Sequence, residues 1–196
     1  MEATDAAHPP TSTGLDTWKL GFWTFIGSET LFFGSLIATY MIYQGRSVQG
    51  PYPGEILDIP LTTISTFVLL MSSLAMVLAL SSVQRGRRTG ALGWLLTTAG
   101  LGMVFLGFQA YEFTHFYHAG LTLSTNLFGS SFFVLTGFHG AHVTIGVIWL
   151  LILALQTLAG RIGPGDAMKV EIAGLYWHFV DVVWIVIFTL IYLLQE

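Results

Sequence analysis

Five stretches of this sequence are apolar for long enough to cross a lipid bilayer, and that constrains the fold more than any motif does. A helix needs roughly 20 such residues to span the hydrocarbon. The runs cover 18–43, 59–83, 89–111, 126–158 and 171–194. From Leu20 to Tyr43 the first is broken by one charge, Glu29, and from Ile172 to Leu194 the last contains His178 and Asp181. The uncharged stretch from Phe113 to Gly160 is too long for one crossing, and its polar run Thr122 to Asn126 marks where a helix begins. In hydrocarbon each backbone N–H and C=O must be satisfied within the segment, and no barrel-like alternation is visible. The predicted fold is all-α, a polytopic bundle of five transmembrane helices over 18–196 behind a polar cytoplasmic segment at 1–17.

The connections agree with these cuts. Gly45, Gly50, Pro51, Pro53 and Gly54 give 44–58 the composition of a loop, while Arg85-Gly86-Arg87-Arg88 and Arg161 to Asp166 read as tight turns. Five crossings put the ends of the bundle on opposite sides. Lys19, Arg85, Arg87, Arg88, Arg161 and Lys169 then share one side, and Arg46 stands alone on the other. The positive-inside rule places the N-terminus inside and the C-terminus outside. Glu112, His115 and His118 fall in an outer loop on this reading.

Charged residues make up 9% of the chain, against about 25% in soluble domains, so an ordinary soluble enzyme and a disordered tail are excluded. A net charge of −4 excludes a basic nucleic-acid surface. The absence of Cys removes disulfides, thiolate metal sites and Cys nucleophiles. The N-terminal residues lack the pattern of a cleavable signal peptide.

Apolar helices do not associate in lipid without small or polar contacts. Gly93, Gly100 and Gly107 repeat every seven residues and are expected to pack, as are Thr136, Gly137 and Gly140 with Ala141 and Thr144. His139 and His142 share another face of the same helix, and Glu171, His178 and Asp181 form a stripe on the last one. All five, with Glu29, are expected near mid-membrane. A carboxylate there costs roughly 2.5–3.5 kcal/mol, so Glu29 is expected to carry a proton or to meet a donor. Two readings stay open: a proton-linked or lipid-headgroup site, or polar ties between helices. His139 or His142 with His178 is the one pairing that would hold a haem. No nucleophile arrangement, phosphate loop or HExxH is present, and no catalytic residue or metal site is assigned.

Several strings resemble one family. Gly27-Ser28-Glu29-Thr30-Leu31-Phe32-Phe33 is similar to the Ser-Glu-x-x-Phe-Phe motif of subunit III of haem-copper oxidases. Phe108-Gln109-Ala110-Tyr111-Glu112-Phe113 resembles that family's Gln-x-x-Glu segment. Gly129 to Val143, containing Phe138-His139-Gly140-Ala141-His142, and Tyr176 to Trp184, containing His178 and Asp181, are longer matches in the same order.

The resemblance implies a non-redox subunit of a proton-pumping cytochrome c oxidase in an aerobic respiratory chain. In that family the haems and copper sit in partner subunits, and this chain binds none. Subunit III packs on subunit I, within reach of subunit II and smaller subunits. It holds phospholipid in a cleft, supports proton uptake and protects the oxidase during turnover. Glu29 corresponds to the family's membrane carboxyl. The long form of the family has seven helices, of which this sequence carries the last five, and that implies a short bacterial form in the cell membrane. Alternatives are subunit III of a quinol oxidase and an accessory subunit of nitric oxide reductase. Rivals of other classes are a haem-binding membrane cytochrome and a small proton-coupled transporter, although neither an internal repeat nor a mid-span break is visible.

Overall fold

The computed structural model describes residues 14 and 16–194. Most of the polar segment expected at 1–17 lies outside them. Five helices are long and apolar enough to cross a membrane. They are α1 (Thr17–Tyr43), α3 (Ile59–Gln84), α4 (Arg88–His118), α5 (Leu127–Leu158) and α6 (Ala167–Phe188), with the single turn α2 (Pro53–Ile56) in the first loop. The chain after α6 continues as one π-helical turn, Thr189–Leu193. No strand occurs among the described residues.

Local chemistry sets the ends. Asp16, Asp58 and Asn126 each accept a backbone N–H of the first turn that follows, at 2.8, 3.0 and 2.7 Å. At the other end α3 and α5 stop on a residue followed by Gly86 and Gly160, both at positive φ. Arg87 N–H returns to Ser82 O and Arg161 N–H to Gln156 O, each at 2.9 Å, which is the closing bond of a Schellman turn.

Two expected boundaries are corrected. α4 runs seven residues past 111, so Glu112, His115 and His118 lie in its last turns and not in a loop. Nothing between 111 and the positive-φ Gly120 breaks the helix, and Phe116 remains fully buried. α6 begins at Ala167, after a 3₁₀ turn at Pro164–Asp166, earlier than the apolar run alone suggests.

α3, α4, α5 and α6 form a closed ring in which each helix packs on its two neighbours, and α1 lies outside it against α5 and α6. Trp177 and Trp184 are fully buried within the ring. Trp177 fits beside two glycines: a Cβ on Gly102 would stand 2.6 Å from its Cη2, and one on Gly146 would stand 2.8 Å from its Cε3. Its indole N–H donates to Ser72 Oγ at 2.8 Å, and that of Trp184 donates to Thr66 Oγ1 at 2.9 Å.

The expected glycine packing needs correction too. Gly93, Gly100, Gly107 and Gly137 have no atom of this chain within 4 Å of where a Cβ would be. The stripe on α4 therefore faces away from the bundle. Gly140 does pack, since a Cβ there would meet Gln109 Oε1 at 2.5 Å. Replacing Gly140 by Leu is expected to abolish recovery of folded, detergent-soluble protein. Gly100→Leu, whose Cβ would meet no side chain of this bundle, should elute from size exclusion as the wild type does.

Candidate functional site

The polar side chains form separate nodes, each joining particular helices. Glu29 is the thirteenth of 27 residues of α1, and His142 the sixteenth of 32 in α5, so both sit at mid-membrane. Glu29 Oε2 lies 3.2 Å from His142 Nε2. The Nδ1–H of His142 donates to Phe138 O at 2.7 Å, which fixes the ring and aims Nε2 at the carboxyl. Phe33 packs edge-on to the imidazole, with ring centroids 4.9 Å apart. Tyr176 O–H donates to His142 O at 3.0 Å. One proton suffices for the Glu29–His142 contact, either on the imidazole or on the carboxyl.

The second node joins α6 to α3. Ser73 Oγ bonds Asp181 Oδ2 and also lies 2.8 Å from His178 Nδ1. Asp181 Oδ1 is buried without a hydrogen-bond partner among the described residues. His139, also fully buried, donates from Nε2 to Val180 O at 3.2 Å and packs on Trp184 and Phe105. The three histidines thus have different hydrogen-bond partners. Among the described residues no three His, Cys, Asp or Glu side chains converge as a metal set.

Glu171 belongs to neither node. It is the fifth residue of α6 and pairs with Lys19 Nζ at 2.7 Å, at the end of the bundle rich in cations, which corrects its expected mid-membrane position. Arg88 joins that end by donating to Thr157 O at 2.8 Å and to Leu158 O, the last carbonyls of α5.

Gln109 and Glu112, one turn apart on α4, tie it in different directions. Gln109 Nε2 donates to Thr136 O of α5 at 2.7 Å. Glu112 meets Thr62 of α3 at 3.0 Å and accepts from Tyr192 at 2.9 Å.

The sequence reading missed the partners rather than the nodes. Thr62, Thr66, Ser72 and Ser73 line one face of α3 at helical spacing and anchor Glu112, Trp184, Trp177, His178 and Asp181. A run of hydroxyls at i, i+3, i+4 in an apolar helix was the available signal. Removing Ser73 leaves Asp181 without its one hydrogen bond, at a cost of about 1–2 kcal/mol. Ser73→Ala should lower the detergent-solubilised melting temperature by several degrees. Ser28→Ala, which loses only a bond within its own helix, should not.

Between α1, α5 and α6 at the cation-bearing end lies a groove of about 570 Å³, walled by Trp18, Trp149, Ile152 and Ile172 and edged by Gln156 and Lys169.

The chain is similar to known proteins along nearly its whole length. The family model for cytochrome c oxidase subunit III matches residues 2–195. The chain is 43% identical over 175 residues to quinol oxidase subunit 3 of Bacillus subtilis (strain 168), covering 89% of this chain and 86% of that one. It is 42% identical over 177 residues to the probable quinol oxidase subunit 3 of Staphylococcus saprophyticus, covering 90% and 88%. It is 40% identical over 192 residues to cytochrome c oxidase subunit 3 of Alkalihalophilus pseudofirmus, covering 96% and 92%. A five-helix membrane bundle whose family motifs supply its interhelical ties, matched from end to end, belongs to the cytochrome c oxidase subunit III family of the haem-copper oxidases.

Proposed function

We propose that this chain is the non-redox third subunit of a proton-pumping terminal oxidase in a bacterial cell membrane. It would bind no haem or copper itself and would dock on the haem-bearing subunit I, in a complex that also holds subunit II. The observation that carries this reading is the use made of the polar positions. Glu29, His139, His142, His178 and Asp181 are engaged in ties between helices, so the bundle offers a rigid lateral support.

The electron donor is proposed to be cytochrome c, as the family's name suggests. A second reading, quinol, is favoured by the names of the Bacillus and Staphylococcus relatives. Co-purification, followed by mass spectrometry, a haem spectrum of the complex and turnover with each donor, tests both. Recovery of this chain without any haem-bearing partner would overturn the proposal. The outward face of α4 is the proposed contact with subunit I, because Gly93, Gly100 and Gly107 let another helix approach closely. The groove edged by Lys169 would take a phospholipid, with acyl chains against Trp149 and the anionic headgroup at the lysine.

Glu29→Ala is expected to leave initial oxygen consumption of the assembled complex close to wild type and to shorten its working lifetime. The measurement is the decay of turnover in a closed oxygen electrode. Loss of initial rate in a fully haem-loaded complex would refute a supporting role.

The end carrying Lys19, Arg85, Arg87, Arg88, Arg161 and Lys169 is proposed to be cytoplasmic. The absence of native Cys makes this simple to check. Arg87→Cys should react with a membrane-impermeant maleimide only in inverted vesicles. Val48→Cys, at an exposed loop position, should react only in intact spheroplasts.

A further inference from the structure

Glu112 is buried, with 6% of its surface exposed, and no cation lies within ion-pair distance of it among the described residues. Its two oxygens face two hydroxyls. Oε1 is 3.0 Å from Thr62 Oγ1, and Oε2 is 2.9 Å from the hydroxyl of Tyr192. Thr62 Oγ1 is also 2.8 Å from the carbonyl oxygen of Asp58.

Two proton arrangements satisfy these contacts, and burial separates them. A threonine hydroxyl has one hydrogen and two lone pairs. With that hydrogen on the shorter contact, to Asp58 O, Oε1 is the donor; with it on Oε1, Asp58 O keeps the Thr62 backbone N–H at 3.0 Å. In the first arrangement Tyr192 donates to Oε2, which acts as the carbonyl of the acid. Each hydrogen has one acceptor, and no charge is buried. Ionised, the same carboxyl would leave a negative charge against neutral hydroxyls in an apolar setting, which is expensive. The titratable groups around it supply no positive charge. Asp58, which caps α3, is acidic, Tyr192 and the buried Tyr40 of α1 are phenols, and His115, one turn further along α4, is exposed.

Tyr192 reaches Glu112 from the π-helical turn. There Leu194 N–H bonds to Thr189 O at 3.0 Å, five residues back. A π turn spaces its side chains differently around the axis from an α turn, and Tyr192 lies within it. The π register and the acid are therefore matched. Leu194 O also accepts from Gln44 Nε2 at 2.9 Å, which extends the closure to the end of α1.

We propose that Glu112 is a buried neutral carboxylic acid, donating to Thr62 and accepting from Tyr192, and that this protonated clasp holds the π-helical turn and closes α6 onto α3 and α4. The test is infrared spectroscopy of the full chain in dodecyl maltoside, a detergent without an ester carbonyl. Wild type minus Glu112→Gln should show a carboxylic C=O stretch that moves in deuterium oxide, with no change in carboxylate bands. In Tyr192→Phe that stretch should move to higher frequency, because its carbonyl loses a donor. Loss of carboxylate bands in the Gln variant would overturn the proposal. Should that variant fail to fold, an acid stretch that ignores both Tyr192→Phe and Thr62→Val would overturn it equally.

Discussion

Trp177 occupies the space left by two absent side chains, and the ring of four helices depends on that fit. The indole lies against Gly102 of α4 and Gly146 of α5 and reaches Ser72 of α3 through its N–H. One side chain of α6 thus meets every other helix of the ring. In water the hydrophobic effect would hold such helices together however roughly they packed. In lipid it does not, because the tails are as apolar as the helix surfaces, so van der Waals contact and hydrogen bonds must suffice. A large flat ring seated on glycine maximises the first, and its single donor supplies the second. Trp184 repeats the device two turns on, with Thr66 as acceptor and His139 and Phe105 as walls.

α1 is held differently. Only Ile26, Phe33 and Tyr40 are buried, one residue every two turns, and that seam is narrow. Three polar ties at three heights supplement it: Lys19 to Glu171 at one end, Glu29 to His142 midway, and Gln44 to Leu194 O at the other. The middle tie is the only one in the low-dielectric part of the membrane, so breaking it should cost more than breaking either end. α1 also forms one wall of the groove beside Trp149. A helix pinned at points and open between them leaves such a groove accessible from the side.

The five crossings were legible because the bilayer sets a length that the apolar runs must meet. Boundaries were less so. Glu112 reads as the end of a span, since a carboxylate in hydrocarbon is expensive, yet its pairing with Thr62 and Tyr192 allows α4 to continue to His118. The glycine stripe Gly93, Gly100 and Gly107 was legible as a small-residue face, but nothing in one chain tells whether such a face meets its own bundle or another protein. Gly102 and Gly146, which do pack internally, carry no periodic signal at all. Their role comes from a tryptophan distant in sequence. Glu29, His142, His178 and Asp181 stood out individually because charge is scarce. Their partners were hidden, because Ser73 resembles any serine in a membrane helix that bonds back to its own backbone.

The direction of the small-residue faces carries a last consequence. Inside the ring, glycine admits tryptophan, and the contact is complete within the chain. On α4 the same residue type is left without a neighbour, flanked by exposed Trp94, Leu96, Met103 and Val104. Lipid tails gain nothing from a flat stripe that protein side chains could not also provide, whereas a second helix gains close backbone approach. Family membership places this chain among the subunits of an oxidase. A face shaped for a helix and unused by its own bundle is the proposed contact with the neighbouring subunit. The polar ties then have a clear purpose. By spending nearly every intramembrane polar group on its own cohesion, the bundle keeps that face flat and fixed in the absence of the neighbour.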